Sequence, residues 1–105
     1  MADTRSILFV DDYDMLRQIY VEILANAGYR VEEAADAHQC MQVLQREIPD
    51  LIILDIMMKP VDGWEVLRQI RASPDTGDVP VIMVSGKAIL PSEISEYGPM
   101  IDGFM

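Results

Sequence analysis

At 105 residues the chain is long enough for one domain and one core. Half of its residues are hydrophobic and a quarter charged, and 8 basic against 18 acidic side chains give a formal charge of −10. That balance argues against nucleic acid or an anionic membrane as direct partner, since both require a basic face for counterion release.

No stretch approaches the ~18 consecutive apolar residues of a membrane helix. Residues 1–6 lead into four apolar residues and then two aspartates, which is not a signal peptide. The cytosol is the expected location.

In chain order, a short β-rich run at 7–10 ends in Asp11-Asp12. Leu16, Ile19, Tyr20, Ile23, Leu24 and Ala27 then recur at helical spacing as one apolar face, and Gly28 is a natural stop. A second strand is expected over 29–33. Asp36 follows as a cap for a helix with Ala37, Cys40, Met41 and Leu44 inward, ended by Pro49. Cys40 is the only cysteine, so no internal disulfide is possible, and its amphipathic setting marks it as a small core residue.

The run 51–54 is apolar without alternation, as in a strand covered on both faces, and Asp55 follows it. Asp62 and Glu65 have capping-box spacing ahead of Val66, Leu67 and Ile70. Pro74, Gly77 and Pro80 lead into a fourth strand at 81–84, which ends in Ser85-Gly86. A fourth helix over 88–97 carries Pro91 in its first turn and is cut off by Gly98-Pro99. Its two turns should be among the less stable parts. A fifth strand spans 101–105. No repeat, linker or low-complexity segment interrupts the series. Strands separated by helices of this length predict one α/β domain with a parallel sheet and right-handed crossovers.

Ligand sites in such sheets lie outside the carboxyl ends of the strands. Asp11 and Asp12, Asp55, and Ser85 all fall there. Two unit charges ~4 Å apart repel by about 4 kcal/mol at an effective dielectric of 20. Such a cluster must take up a proton or be neutralised by a hard cation. All-oxygen ligands suit Mg²⁺, which also offsets charge in phosphoryl transfer. Simpler roles exist for single members: Asp12 or Asp14 as a helix cap, Ser85-Gly86 as a turn. Asp55 is harder to assign so, because it interrupts an apolar stretch and needs a compensating partner.

These residues resemble the receiver domain of response regulators, the phosphorylated switch of two-component signalling, over essentially the whole chain. The segments 7–12, 49–58, Asp62-Gly63 and 79–85 match its ordered motifs. The resemblance implies a doubly wound parallel sheet of flavodoxin-like order 2-1-3-4-5. It implies Asp55 as phosphoacceptor from a sensor histidine kinase or phosphotransfer protein. Mg²⁺ would be held by Asp12, Asp55 and the Met57 carbonyl, with Asp11 helping through water. Ser85 would be the switch hydroxyl and Phe104 the aromatic switch. No enzymatic activity is implied beyond the domain's own phosphorylation and dephosphorylation.

The sequence departs from the family in two places. Lys59 stands where proline is usual, with the proline at Pro60, and is either a solvated lysine or a modifier of phosphoryl lifetime. Gly86 replaces a frequent alanine and could widen access for water. The family's phosphate-binding lysine and last helix would fall beyond Met105, so residues 1–105 are expected to be one receiver domain truncated at the end of the fifth strand. That would bare one sheet face and leave homodimerisation possible.

Two other functions compete with the switch. One is a receiver-like docking module that no longer takes phosphate. The other is a Mg²⁺-dependent aspartyl phosphatase, against which Met57 stands where its acid would be. A flavodoxin is disfavoured because Tyr13-Asp14-Met15 is no phosphate loop.

Overall fold

In a computed structural model, which describes residues 4–85 and 90–104, strands and helices alternate along the chain. The order is β1 (Ser6–Val10), α1 (Asp14–Asn26), β2 (Arg30–Ala34), α2 (Ala37–Arg46) and β3 (Leu51–Asp55). Then come α3 (Gly63–Ala72), β4 (Val81–Val84), α4 (Pro91–Tyr97), a 3-10 turn (Gly98–Met100) and β5 (Gly103–Phe104). All pairings are parallel, in the order β2-β1-β3-β4-β5. This is the flavodoxin-like order that the resemblance implied.

Successive strand residues point to opposite faces, and the core divides accordingly. Leu8, Val10, Ile52, Leu54, Val81 and Met83 face α2 and α3, meeting Cys40, Val43, Leu44, Val66, Leu67 and Ile70. Ile7, Phe9 and Ile53 face the other way, toward Tyr20, Val21 and Leu24 of α1. Cys40 is fully buried as expected, and burial above all pushes its thiol up to about 12.

Local signals end the helices where the residues called for it. Asp36 accepts the Gln39 N–H at 2.8 Å and Asp62 accepts the Glu65 N–H at 3.0 Å, satisfying donors that a helix start leaves open. At the end of α1, Gly28 takes φ +104°, so its N–H reaches the Ala25 carbonyl and the Tyr29 N–H the Leu24 carbonyl. These two bonds are those of a Schellman motif.

The α1 face needs correction. Tyr20 and Leu24 pack as expected, joined by Val21, but Leu16, Ile19 and Ile23 are 36%, 48% and 56% exposed, and Ala27 is exposed too. Only its 20–21–24 ridge meets the sheet, against Ile7 and Phe9 of β1 and Ile53 of β3. Strand bounds also move, with β1 and β3 each one residue longer than expected. β2 begins at Arg30 and runs to Ala34, while β5 is confined to Gly103–Phe104. Asp102, expected inside β5, instead accepts the Val81 N–H through its carboxylate at 2.8 Å. Gly86, the expected helix start at Ala88, and Met105 lie outside the described residues. No helix among the described residues is long and apolar enough to cross a membrane.

Candidate phosphoacceptor site

The strand order sets the site. β1 and β3 are neighbours with Val10 opposite Leu54, so the residues that follow emerge side by side. Pairing persists beyond β1 through the Asp11 N–H to the Ala34 carbonyl at 3.1 Å. The Ile56 N–H extends β3 in the same way, to the Val84 carbonyl at 2.9 Å. Carboxylate oxygens of Asp11, Asp12 and Asp55 thereby come within 4.8 Å of one another. Asp11 is 3% exposed, Asp55 is half-buried, and Asp12 opens to solvent.

Neither Asp12 nor Asp14 serves as the α1 cap. Tyr13 holds the cap position without a side-chain bond, and Asp11 Oδ1 instead accepts the Tyr13 N–H at 2.9 Å. Asp55 Oδ1 accepts the Met57 N–H at 3.1 Å. Burial, above all, pushes the Asp55 carboxyl up to about 6, and the charges of Asp11 and Asp12 add to this while the Met57 N–H opposes it. Three clustered carboxylates, one of them raised toward neutrality, are a site that a hard divalent cation would relieve. The donor set fits Mg²⁺, being oxygen only, with Asp12 open to water.

The loop after Asp55 is held by α3. Gly63 donates to the Ile56 carbonyl at 2.9 Å, and its α-carbon lies so close that a Cβ there would stand 2.2 Å from the Asp55 carbonyl oxygen. The Met57 side chain and Lys59 are exposed, and the Lys59–Pro60 peptide bond is cis. Ser85 follows Val84, the β4 partner of Asp55, and so stands at the same sheet end as the carboxylates.

Phe104 is not part of this cluster. It pairs with Met83 on β5, is 42% exposed, and sets its ring edge on Trp64 at 6.4 Å between centroids. Trp64, which sequence reasoning passed over, joins α3 to α4. Its indole stacks on Tyr97 at 4.5 Å and 5° from parallel, and its Nε1 donates to Glu93 Oε2 at 2.6 Å. Glu93 Oε1 in turn accepts the Leu90 N–H at 2.9 Å, at the start of α4. Arg68 lies over the Tyr97 ring at 5.3 Å and donates to its hydroxyl. The available signals were a lone tryptophan in the first turn after the Asp62 cap and Arg68 one turn later. Arg17, also passed over, is buried beneath the acidic pair.

Residues 7–103 match the model of the response regulator receiver domain. Response regulator Rre1 of Synechocystis is 32% identical over 106 residues, spanning all of this chain and 46% of that protein. The chain thus spans less than half the length of this curated relative. A receiver-protein N-terminal domain from Methanoculleus marisnigri superposes with a TM-score of 0.91 at 41% identity, covering 98% of this chain and 84% of that one. TrrA of Thermotoga maritima, solved in complex with Mg²⁺-BeF, does so at 0.84 and 27% identity, over 97% and 85% of the respective chains.

Proposed function

This chain belongs to the response regulator receiver family of two-component signalling, and from that premise we propose that it is a phosphorylation switch with Asp55 as the phosphoacceptor. The observation that carries the reading is the convergence of Asp11, Asp12 and Asp55 at one sheet end, with the Asp55 carboxyl raised chiefly by burial. With a carboxyl near 6, Asp55 is largely ionised at neutral pH, yet poorly enough solvated to act as a nucleophile. One of its oxygens attacks the phosphorus of a phosphohistidine. The new O–P bond replaces the N–P bond, whose electron pair returns to the imidazole. The donor is a sensor histidine kinase or phosphotransfer protein.

Asp12, Asp55 and the Met57 carbonyl would hold Mg²⁺, with Asp11 behind them. Bound there, the ion would offset negative charge on the carboxylates and on the incoming phosphoryl oxygens. The Met57 N–H on Asp55 Oδ1 orients the carboxylate, leaving its second oxygen for attack. Ser85, at the same sheet end, would bond a phosphoryl oxygen. Phe104 would follow it, and Trp64 would carry the change to α4, since its ring touches both Phe104 and Tyr97. The chain would turn over no substrate beyond its own phosphorylation and dephosphorylation.

Incubation with Mg²⁺ and acetyl phosphate, followed by intact mass measurement, tests this. A single phosphoryl adduct, absent in Asp55→Asn and absent in excess chelator, is expected. Steady acetyl phosphate turnover with no adduct would point to a phosphatase, and no reaction at all to a docking module.

A further inference from the structure

Beneath the acidic pair lies a guanidinium that the switch reading leaves without a task. Arg17, one turn into α1, is 9% exposed. Its Nε donates to Glu33 Oε1 on β2 at 2.9 Å and its Nη2 to Asp14 Oδ1 at 2.7 Å. Its Nη1 donates to the main-chain carbonyl of Asp11 at 2.7 Å, in a buried contact. We propose that Arg17 is a positioning residue for the divalent-cation site, fixing the peptide unit between Asp11 and Asp12 so that both carboxylates face Asp55. The proposal rests on the metal-assisted reading above.

The choice of acceptor carries the argument. The Asp11 carbonyl belongs to the peptide plane that joins Asp11 to Asp12, so holding that oxygen limits ψ of Asp11 and φ of Asp12, the torsions that place the two residues relative to each other. Asp11 is held at its other groups as well, by the Ala34 carbonyl on its N–H and the Tyr13 N–H on its carboxylate. The Asp12 carboxylate, by contrast, has no hydrogen-bond partner among the described residues. Only its Cα–Cβ direction is fixed, by its main chain, and Arg17 is the side chain that holds that main chain from below.

Arg17 does not act by lending its charge to the site. Asp14 and Glu33 already face it with two negative charges, and only its third contact, to a neutral carbonyl, reaches the acidic pair. A planar fork can address three acceptors in three directions, which a lysine ammonium cannot reproduce. Outer-shell groups that orient ligands in this way typically govern metal affinity by 10- to 100-fold (order of magnitude).

Positioning and charge predict opposite signs. Removing Arg17 makes the neighbourhood one unit more negative, which by field alone would tighten cation binding. Calorimetric titration of the whole chain with Mg²⁺, alongside thermal unfolding in chelator, separates them. Arg17→Ala is expected to weaken Mg²⁺ binding by about tenfold or more. Arg17→Lys, which keeps the charge, is expected to recover little of it. Unchanged or tighter binding in Arg17→Ala, or full recovery in Arg17→Lys, would overturn the proposal, whatever the loss of thermal stability. If Arg17→Ala does not fold, Arg17→Lys decides by the same criterion. Wild type that binds no Mg²⁺, or binds it no better than Asp55→Asn and Asp12→Asn, removes the metal reading itself and this proposal with it.

Discussion

The α-carbon of Gly63 is pressed against the Asp55 backbone so closely that a Cβ would stand 2.2 Å from the Asp55 carbonyl oxygen and 2.9 Å from its carbonyl carbon. These two atoms, and the Ile56 α-carbon at 2.8 Å, are main chain and cannot rotate away. Gly63→Ala must therefore displace α3 or the end of β3, at a cost of about 2 kcal/mol or more by the measure of overpacked cores. Gly28→Ala is the contrast. Nothing lies within 4 Å of its Cβ position, so the left-handed φ of +104° is the sole penalty, about 1 kcal/mol. Urea midpoints should rank the two in that order, and only Gly63→Ala should disturb Mg²⁺ binding. Equal and small losses would contradict the close approach.

Asp55 makes apo stability depend on pH in an unusual direction. Its carboxyl is raised, chiefly by burial, from 3.8 to about 6. A raised acid favours the folded state below the unfolded value and loses that contribution as pH climbs through the folded one. Asp55→Asn, which mimics the neutral acid, should exceed wild type in chelator at about pH 7 by on the order of 1 kcal/mol after allowing for partial exposure. At about pH 3.5 the two should nearly coincide. Mg²⁺ should narrow the gap at neutral pH. A difference that does not vary with pH would show that Asp55 is not strained when ionised.

The α4 helix has seven residues, too few to persist alone. Trp64 holds it to α3 through the stack on Tyr97 and the bond to Glu93, beside Arg68, which contacts Tyr97 and Glu96. Glu93→Ala removes both the indole acceptor and the group on the Leu90 N–H. Loss of a charged hydrogen bond of about 1.5 kcal/mol corresponds to roughly tenfold faster amide exchange in the helix. Exchange over residues 91–97 should rise by that factor with Mg²⁺ affinity intact. Unchanged protection would mean that other contacts hold α4.

Lys59 is exposed and forms no ion pair among the described residues. Dephosphorylation of Lys59→Ala should therefore run within about twofold of wild type, as expected of a surface substitution. A larger change would restore the lysine as a modifier of phosphoryl lifetime.

Much of the architecture could be read from the residues because the signals were local. Asp36 and Asp62 start helices and Gly28 ends one by contacts within a few positions, and the non-alternating run before Asp55 announces a strand covered on both faces. The strand ends then bring Asp11, Asp12 and Asp55 together once the order is known, and that order came from family resemblance rather than from periodicity. What stayed hidden depends on packing across long separations. Trp64 and Glu93 are 29 positions apart and meet only because α3 and α4 are adjacent. Arg17 reaches Glu33 across 16 positions, so nothing in its own helix periodicity reveals that it is buried. Leu16, Ile19 and Ile23 have the spacing of a core face, yet only the Tyr20, Val21 and Leu24 ridge of α1 meets the sheet, which leaves them exposed.

In the proposed switch, Asp55 alone accepts phosphate. Borohydride reduction of the acetyl phosphate-treated protein, followed by peptide mass mapping, locates an acyl phosphate by converting the modified aspartate to homoserine. That conversion is expected at Asp55, dependent on Mg²⁺, with Asp11 and Asp12 unmodified. Conversion at Asp11 or Asp12, or none at Asp55 under saturating Mg²⁺, would contradict it.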